Sequence, residues 1–324
     1  MGLRVVRAGV YSLVVDGGRR HTRRWGIPLG GAADRAAWQL GNALLSNPED
    51  AAALEITLAG PILEATCPVA LALCGAPFDV WVDEQEWTVG VTRTLYPGQR
   101  LVIGGAQRGA RVYVCVAGGL HTPLLFGSRS MGEPIRRGQV LPCRPATVSR
   151  RKLPDDLLAS LVPSTTPVLL RVLDGPQRSL FPDDMFFCQT YTVLPASNRM
   201  GLRLRGPVLL QPQRGLYSEP HQEMLSEPVA PGAVQVTHDG QPLILGVDGQ
   251  TVGGYPKIAH VIRADLDILG QLRPGDTVRF VRVGLEEAEQ AGQKRDRWLR
   301  HWQVRLSLAE GAPTLLASTP PAVP

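Results

Sequence analysis

Short runs of alternating apolar and polar residues recur along this chain of 324 residues. Runs with the two-residue period of half-buried strands occur at 3–6, 11–15, 80–82 and 111–116. Apolar residues at helical spacing are rarer, and they predict three helices, at 32–45, 155–161 and 286–302. The third is rich in charge, which predicts a surface helix. The pattern therefore predicts a mostly β fold with a few short helices.

A stretch rich in Arg, Pro, Ser and Thr between Cys143 and Pro167 predicts a boundary between two halves. The sequence Gly-Pro-Ile-Leu at 60–63 recurs as Gly-Pro-Val-Leu at 206–209, and a Pro-Gly turn precedes a strand-like run in each half, which hints at duplication. We predict a first β domain at 1–145, a linker at 146–166, a second β domain at 167–284, a C-terminal helix at 285–303 and a flexible tail at 304–324.

The composition narrows the class of protein. The 35 glycines and 28 prolines are spread along the chain, as expected for many short strands joined by turns. The five cysteines form no C-x-x-C pair, no apolar run approaches the roughly 20 residues of a membrane span, and no signal peptide is evident, so we expect a cytoplasmic protein without membrane contact. The net charge of +5 comes from scattered arginines without interleaved aromatic residues, so we expect no nucleic-acid partner.

A segment rich in arginine and glycine precedes the first predicted helix. It includes Arg19, Gly30 and Gly31 and ends at Asp34. The amide groups of the glycine turn, aided by the helix dipole, would suit a carboxylate or phosphate. The alternative is that Asp34 caps the helix and the arginines form a solvated turn. No phosphate-binding P-loop sequence is present.

A second polar segment follows the strand-like run at 111–116. Gly118 and Gly119 would let the backbone approach a ligand closely. Arg129 lies between two serines and would suit a carboxylate, or else it is a buried structural arginine. Ser128 lacks the G-x-S-x-G elbow of a serine nucleophile.

The second half carries four further candidate segments, around Arg199, around Glu227, at Asp239-Gly240-Gln241-Pro242 and at Gly253-Gly254-Tyr255-Pro256-Lys257. Lys257 would hold an anion or an acyl oxygen, and Tyr255 would stack or donate a hydrogen bond. The alternatives are a tight turn with an outward lysine and an ordinary surface glutamate. The six histidines show no metal-binding spacing, so we expect no metal site.

Motifs from both halves occur in order across residues 4–283. They are Gly26-Ile27-Pro28 with Gly31-Ala32-x-Asp34, Leu54-Glu55-Ile56-Thr57-Leu58, Val116-Ala117-Gly118-Gly119, Gly127-Ser128-Arg129-Ser130, Asn198-Arg199-Met200-Gly201, Ser226-Glu227-Pro228, Asp239-Gly240-Gln241-Pro242, Gly253-Gly254-Tyr255-Pro256-Lys257 and Pro274-Gly275-Asp276. Together they resemble the biotin-dependent-carboxyltransferase-like family, which includes the C-type component of 5-oxoprolinase, KipA-type proteins and allophanate hydrolase subunit 2.

The resemblance implies two cyclophilin-like β-barrel domains and a subunit of an ATP-dependent 5-oxoprolinase that hydrolyses 5-oxo-L-proline to L-glutamate. It implies a B-type partner, similar to KipI and allophanate hydrolase subunit 1, and an A-type partner, similar to LamB/YcsF. ATP would bind in the complex, on this chain or on a partner. Biotin would not be attached here, because none of the three lysines lies in a Met-Lys-Met sequence. The alternatives are a non-catalytic regulator of a B-type protein, and a carboxyltransferase from carboxybiotin to urea or another amide.

From the residues and the resemblance together, we expect catalytic roles for Asp34, Arg129, Glu227 and Lys257. We expect substrate-binding roles for Arg19, Gly30, Gly31, Gly118, Gly119, Ser128, Arg199, Gly253, Gly254 and Tyr255. The chain departs from the family pattern at Gly249 and Val252, where an arginine and a threonine are usual, and in a shortened loop after Ser130. These departures point to a different substrate or to lost activity.

Overall fold

The computed structural model describes residues 1–130, 132–181, 184–209 and 224–308, and the backbone of 314–315. The chain divides into two compact units. The first comprises Met1–Arg19, Gly30–Val162 and Trp298–Pro324, and the second comprises Arg20–Leu29 and Pro163–Arg297. The chain passes from the first unit to the second after Val162, within the predicted linker.

The first unit is built mainly from strands. In chain order they are β1 (Gly2–Arg7), β2 (Tyr11–Val15), β3 (Ala53–Thr57), β4 (Ile62–Ala65), β5 (Val69–Gly75), β6 (Phe78–Val82), β7 (Gln85–Glu86), β8 (Thr92–Leu95), β9 (Arg100–Ala106), β10 (Arg111–Val116), β11 (Val140–Pro142) and β12 (Ala146–Thr147). Helix α1 (Arg35–Leu44) lies between β2 and β3, and α2 (Asp155–Ala159) follows β12.

Two antiparallel sheets of the first unit share one apolar core. Their strand orders are β11-β1-β4-β9-β6-β7 and β2-β3-β10-β5-β8. Leu3 and Ile103 from the first sheet pack in the same cluster as Leu71 and Val114 from the second. Each side chain of this kind contributes about 1.5–3 kcal/mol when it is fully buried. The alternating pattern at 3–6 is therefore explained by a sheet with one face on this core.

The second sheet of the first unit is buried on both faces. Every residue of β5 and of β10 is buried, because α1 covers the face that points away from the shared core. Trp38 of α1 packs there with Cys74 and Cys115. At Gly41, an added Cβ would lie 2.7 Å from Cys115 Sγ, so the helix lies close against the sheet. The strand predicted at 111–116 is confirmed, but its half-buried character is wrong.

The second unit also consists mostly of strands. They are β13 (Val168–Asp174), β14 (Tyr191–Val193), β15 (Gly201–Arg205), β16 (Glu227–Pro228), β17 (Ala233–Val236), β18 (Pro242–Leu245), β19 (Val252–Gly253), β20 (Lys257–Val261) and β21 (Thr277–Arg282). The helices are α3 (Met185–Cys188) and α4 (Leu266–Leu269), with 3-10 turns at Arg23–Trp25, Arg178–Leu180 and Arg263–Asp265. Helix α5 (Leu285–Leu308) follows β21.

Seven of these strands form a closed barrel in the order β13-β20-β17-β18-β15-β14-β21. The barrel closes through the parallel pairing of β21 with β13, in which Val168 lies opposite Val278. Closure leaves no unpaired strand edge. The core of this unit consists mainly of Val, Leu and Ile side chains and includes an aromatic group in which Phe186 stacks on Phe280 at a ring separation of 4.3 Å. The short strands β16 and β19 pair with each other outside the barrel. The mostly β prediction is thus confirmed.

The three predicted helices are confirmed with small changes in their bounds, since α1, α2 and α5 lie at the predicted positions. Helix α5 is not wholly a surface helix, because Trp302 is partly buried and Leu306 is buried in the core beneath α1. The predicted tail at 304–324 begins too early, since α5 continues to Leu308. Thr314–Leu315 forms β22 and pairs with β12, and the rest of the tail lies outside the described residues. Within the described ranges, no helix has both the length and the hydrophobicity that crossing a membrane requires.

Candidate functional site

The predicted site residues fall into two groups, one in each unit. The first unit contains Arg19, Gly30, Gly31, Asp34, Gly118, Gly119, Ser128 and Arg129. The second unit contains Arg199, Glu227, Gly253, Gly254, Tyr255 and Lys257. Each group therefore has its own geometry.

Asp16 organises the group in the first unit. Its carboxylate lies just beyond the end of β2 and accepts hydrogen bonds from the Ser128 hydroxyl at 2.5 Å, the Arg129 amide at 2.5 Å and the Gly18 amide at 2.9 Å. The side chain of Arg19 is also buried and donates to the Ser130 carbonyl. These contacts fix the loop at 127–130 against the end of β2. The sequence placed Asp16 at the start of the polar segment that precedes the first helix, but it indicated no role for this residue.

The amides of the glycine turn before α1 form hydrogen bonds within the first unit. Gly31 has φ of 79°, and an added Cβ there would lie 2.8 Å from the Gly18 amide nitrogen, so the position requires glycine. Four consecutive amides donate within the unit, from Gly31 to Ser130 Oγ, Ala32 to the Asp16 carbonyl, Ala33 to Glu55 Oε2 and Asp34 to the Tyr113 hydroxyl. This corrects the expectation that these amides receive an anion, because they are already occupied.

A buried polar network supports this turn from β3 and β10. The carboxylate of Glu55, whose residue is 1% exposed, accepts from the Tyr113 hydroxyl at 2.8 Å and forms an ion pair with Arg111 at 3.2 Å. Burial, followed by the charge of Glu55, raises the pKa of Tyr113 well above its ordinary value, so Tyr113 keeps its proton. Pairing with Arg111 compensates the cost of burying the carboxylate. Glu55 belongs to a recognised motif, but sequence reasoning assigned no role to it.

Two further candidates in the first unit have structural roles. Asp34 is 1% exposed, and its Oδ1 accepts from the Ala37 amide at 3.0 Å, which is the capping alternative. We therefore do not assign it a proton-transfer step. Gly118 and Gly119 both have φ of 75°, and the Gly118 amide donates to Asn47 Oδ1 at 2.8 Å. The two glycines form a turn that packs against Asn47 and Ala51 of the same unit.

Arg129 keeps hydrogen-bonding capacity for a ligand. Its guanidinium donates through Nη1 to the backbone carbonyl of Thr122 and to no other group among the described residues. The Arg129 side chain is partly exposed. His121 lies nearby. Burial, followed by the positive charges of Arg144 and Arg129, lowers the pKa of His121, so its imidazole is neutral at physiological pH. The arrangement leaves a positively charged region around Arg129.

The second unit contains a buried lysine in a polar site. Lys257 is 6% exposed, and its Nζ donates to Glu227 Oε2 at 2.5 Å. Gln177 joins both residues, because its Nε2 donates to Glu227 Oε2 at 3.1 Å and its Oε1 accepts from the Lys257 amide at 3.0 Å. The Glu227 side chain is 44% exposed and that of Lys257 is 8% exposed, so the pair is open to solvent on its carboxylate side. The alternative of an outward lysine is wrong.

The backbone around Glu227 places its carboxylate beside Lys257. Glu227 pairs with Gly253 between β16 and β19, and an added Cβ at Gly254 would lie 3.0 Å from the Met224 carbonyl oxygen. The hydrogen bond from Lys257, followed by the one from Gln177, lowers the pKa of Glu227, so the carboxylate is charged at neutral pH.

Two glutamines of this site were missed by sequence reasoning. Gln177 lies far from its partners along the chain, and nothing in its local sequence marks it. Gln235 on β17 is fully buried, with its Nε2 3.5 Å from the Tyr255 carbonyl oxygen and 2.8 Å from the place of an added Cβ at Gly253. Its side-chain oxygen has no partner among the described residues. A side chain at position 253 would therefore displace the amide of Gln235.

Two arginines of the second unit have internal partners. Arg199 is 5% exposed and donates to Asp248 through Nε at 2.7 Å and Nη2 at 2.9 Å, so its fork is already engaged. Arg23 donates to the carbonyls of Val229 and Gln250, and burial lowers its pKa. The prediction of a solvated arginine turn is therefore wrong at Arg23. No three His, Cys, Asp or Glu side chains in the described part of the chain come together as a metal site requires.

Comparisons with known proteins support the resemblance. The family model described as carboxyltransferase domain, subdomain A and B, matches residues 25–282. The chain is 35% identical to the C-type component of 5-oxoprolinase from Escherichia coli (strain K12), covering 94% of this chain and 98% of that protein. It is 33% identical to the same component from Haemophilus influenzae, covering 88% of this chain and 93% of that one.

A solved structure shows the same fold. The chain superposes on Kluyveromyces lactis urea carboxylase with a TM-score of 0.80 and 27% identity, covering 95% of this chain. It spans 30% of the length of that larger protein. The chain therefore belongs to the carboxyltransferase-domain family of subdomains A and B.

Proposed function

We propose that this chain is a subunit of an ATP-dependent 5-oxoprolinase that hydrolyses 5-oxo-L-proline to L-glutamate. It would act only with an A-type and a B-type partner, in the cytoplasm. Similarity to proteins named as the C-type component of 5-oxoprolinase, along nearly the whole chain, supports this proposal. The name of those relatives implies a multi-subunit complex.

The pair of Lys257 and Glu227 carries the proposal. A lactam carbonyl is unreactive, and its ring opening places negative charge on the carbonyl oxygen and requires proton transfer at nitrogen. A buried ammonium suits the developing charge, because such a donor acts most strongly where water is excluded. The ionised, half-exposed Glu227 suits the lactam N–H or the attacking water. Gln177 would hold both groups in place.

Arg129 is the candidate of the first unit for a substrate carboxylate. Among the described residues its guanidinium donates to one backbone carbonyl, that of Thr122, and it lies in a positively charged region. We assign ATP to a partner protein, because the glycine turn of this chain does not fit the phosphates. Its amides from Gly31 to Asp34 all donate within the protein.

The test is turnover by a reconstituted complex of this chain with its A-type and B-type partners, measured as 5-oxoproline-dependent release of ADP and glutamate. Lys257→Met should lower kcat by about 10²–10³, the usual effect of removing one donor to a developing oxyanion. Lys152→Met is the matched control, because Lys152 forms an exposed ion pair with Asp155. The control should retain its rate within about twofold.

Arg129→Ala should abolish turnover while the fold stays intact. A complex that assembles with either variant but does not turn over would support a catalytic site. A near-normal rate with Lys257→Met would remove the pair from the mechanism, and a near-normal rate with Arg129→Ala would remove Arg129.

Carboxyl transfer is the second candidate. It is favoured by the description of the matching family. It is also favoured by 30% identity to a putative urea carboxylase of Emericella nidulans, which covers 91% of this chain and 25% of that protein. Biotin would then arrive on a partner. Purification of the tagged chain from its host would distinguish the candidates. A biotinylated carrier in the eluate would favour carboxyl transfer, and a B-type protein alone without turnover would favour a regulator.

A further inference from the structure

A cavity of about 340 Å³ lies in the second unit beside the barrel. Its walls come from the strands β15 and β18, the turn at 237–241 and Tyr255. The volume is at the low end of the roughly 300–1,000 Å³ of small-molecule sites. This size suits a metabolite. Apart from Tyr255, the cavity uses none of the side chains assigned to lactam hydrolysis.

Two arginines give the cavity its charge. Arg203 and Arg205 are two residues apart on β15, so their side chains leave the same face of the strand, opposite to Leu202 in the barrel core. Both line the cavity. Neither guanidinium has a carboxylate within 4 Å in the described ranges of the chain. Both groups therefore keep their donors for a ligand.

The carboxylate of Asp239 does not cancel this charge. It also lines the cavity, but it is bound by the hydroxyl of Thr237. That hydrogen bond is the main cause of the lowered pKa of Asp239, and the charge of Arg203 also contributes. Asp239 is therefore ionised at neutral pH, and the lining contains two guanidinium groups against one carboxylate. The imidazole of His238 adds a further polar group.

The remaining wall is apolar. Leu194 and Leu243 line the cavity together with the ring of Tyr255. The His238 ring meets the Tyr255 ring edge-on at a centroid distance of 5.1 Å, which orients the aromatic wall. The cavity thus combines a cationic side with an apolar side, as sites for small organic anions do.

We propose that this cavity binds a small organic anion, whose phosphate or carboxylate group is held by Arg203, Arg205 and His238 and whose body lies against Tyr255 and Leu243. A planar guanidinium fork binds either kind of anion by paired hydrogen bonds.

The test is calorimetric titration of the full-length chain with two probes, inorganic phosphate and succinate. We expect one equivalent of at least one probe to bind, with an affinity that falls as salt is added. The double variant R203Q/R205Q should bind about tenfold or more weakly, because it loses the charge-assisted hydrogen bonds of both guanidinium groups. The double variant R108Q/R150Q is the charge-matched control, since both arginines are exposed in the first unit, and it should bind like the wild type.

Preference for phosphate or for succinate would identify the anionic group of the ligand. Absence of binding by both probes at millimolar concentration would overturn the proposal, as would equal binding by the double variant. A second measurement avoids any variant. Phenylglyoxal modifies accessible arginines, and the bound probe should slow its reaction at Arg203 and Arg205 but not at Arg108, as mapped by mass spectrometry. Unchanged modification of both cavity arginines would also overturn the proposal.

Discussion

Replacing Tyr113 with phenylalanine removes one oxygen from the buried network that fixes the start of α1. The hydroxyl donates to Glu55 Oε2 at 2.8 Å and accepts from the Asp34 amide at 2.8 Å, and the residue is fully buried. The ring itself is retained, so packing against α1 is preserved. The change therefore isolates the polar contribution of one atom.

The expected loss of stability follows from these two bonds. A hydrogen bond to a charged group contributes about 1.5–3 kcal/mol, and a buried amide left without a partner costs about 1–3 kcal/mol. Because the surroundings relax in part, we expect the free energy of unfolding to fall by about 3 kcal/mol. In a unit of this size, each kcal/mol lowers Tm by roughly 2–4 °C, so Tm should fall by roughly 6–12 °C.

Urea and thermal unfolding followed by circular dichroism would measure the loss. Hydrogen exchange of peptides covering 30–45 would locate it, because the amides of Ala33 and Asp34 should exchange faster. Tyr96→Phe is the matched control, since Tyr96 is 56% exposed, and its effect should stay within about 0.5 kcal/mol.

A loss below about 1 kcal/mol for Tyr113→Phe would refute the reasoning, because it would mean that the two hydrogen bonds contribute little. A double-mutant cycle with Glu55→Gln gives a second check. The two residues contact each other, so their coupling energy should be about 0.5–3 kcal/mol, and strictly additive effects would show that no network exists.

Two further predictions concern other polar groups. The buried Arg151 donates to the carbonyls of Leu44 at 2.6 Å and of Leu306, at the ends of α1 and α5. Arg151→Met should therefore lower the free energy of unfolding by about 2–4 kcal/mol and speed amide hydrogen exchange at the end of α5. Arg150→Met is the control, because Arg150 is exposed, and it should change neither quantity. Because the pKa of Glu227 is lowered in the folded state, its contribution to stability is present above the pKa of the unfolded chain and is lost as the pH falls through the folded value. The stability difference between wild type and Glu227→Gln, taken from urea midpoints, should therefore shrink from pH 7 towards pH 3, and a constant difference would contradict the assigned ion pair.

Local features of the fold were predictable from the sequence, because short-range patterns determine them. The Pro-Gly turns at 97–98 and 274–275 do precede strands, β9 and β21. The helix at 32–45 was evident from its apolar spacing and its stop signal. The depth of burial at 111–116 was not predictable, because it depends on α1 packing against the sheet from elsewhere in the chain.

The contacts of the candidate sites were the least predictable feature. Ser128 lies 112 residues from its partner Asp16, and Lys257 lies 80 residues from Gln177. Such pairs depend on strand register and sheet order, which no local pattern encodes. The glycines could therefore be recognised as candidate site residues, but their structural roles could not be predicted. Gly31 leaves room for the backbone at Gly18, and its amide is used by the protein rather than by a ligand.

The two substituted positions of the family pattern in the second unit, Gly249 and Val252, leave the charged pair intact. An added Cβ at Gly249 would lie 2.9 Å from the Met200 carbonyl oxygen, so this backbone is closely packed around glycine and leaves little room for the usual arginine. Val252 is 54% exposed on β19, so the missing hydroxyl faces the rim of the site rather than its buried part. Glu227 still pairs with the next residue of β19, and Lys257 remains within 2.5 Å of it. Under the proposed function, these departures would change the rim of the site and leave its charged pair in place.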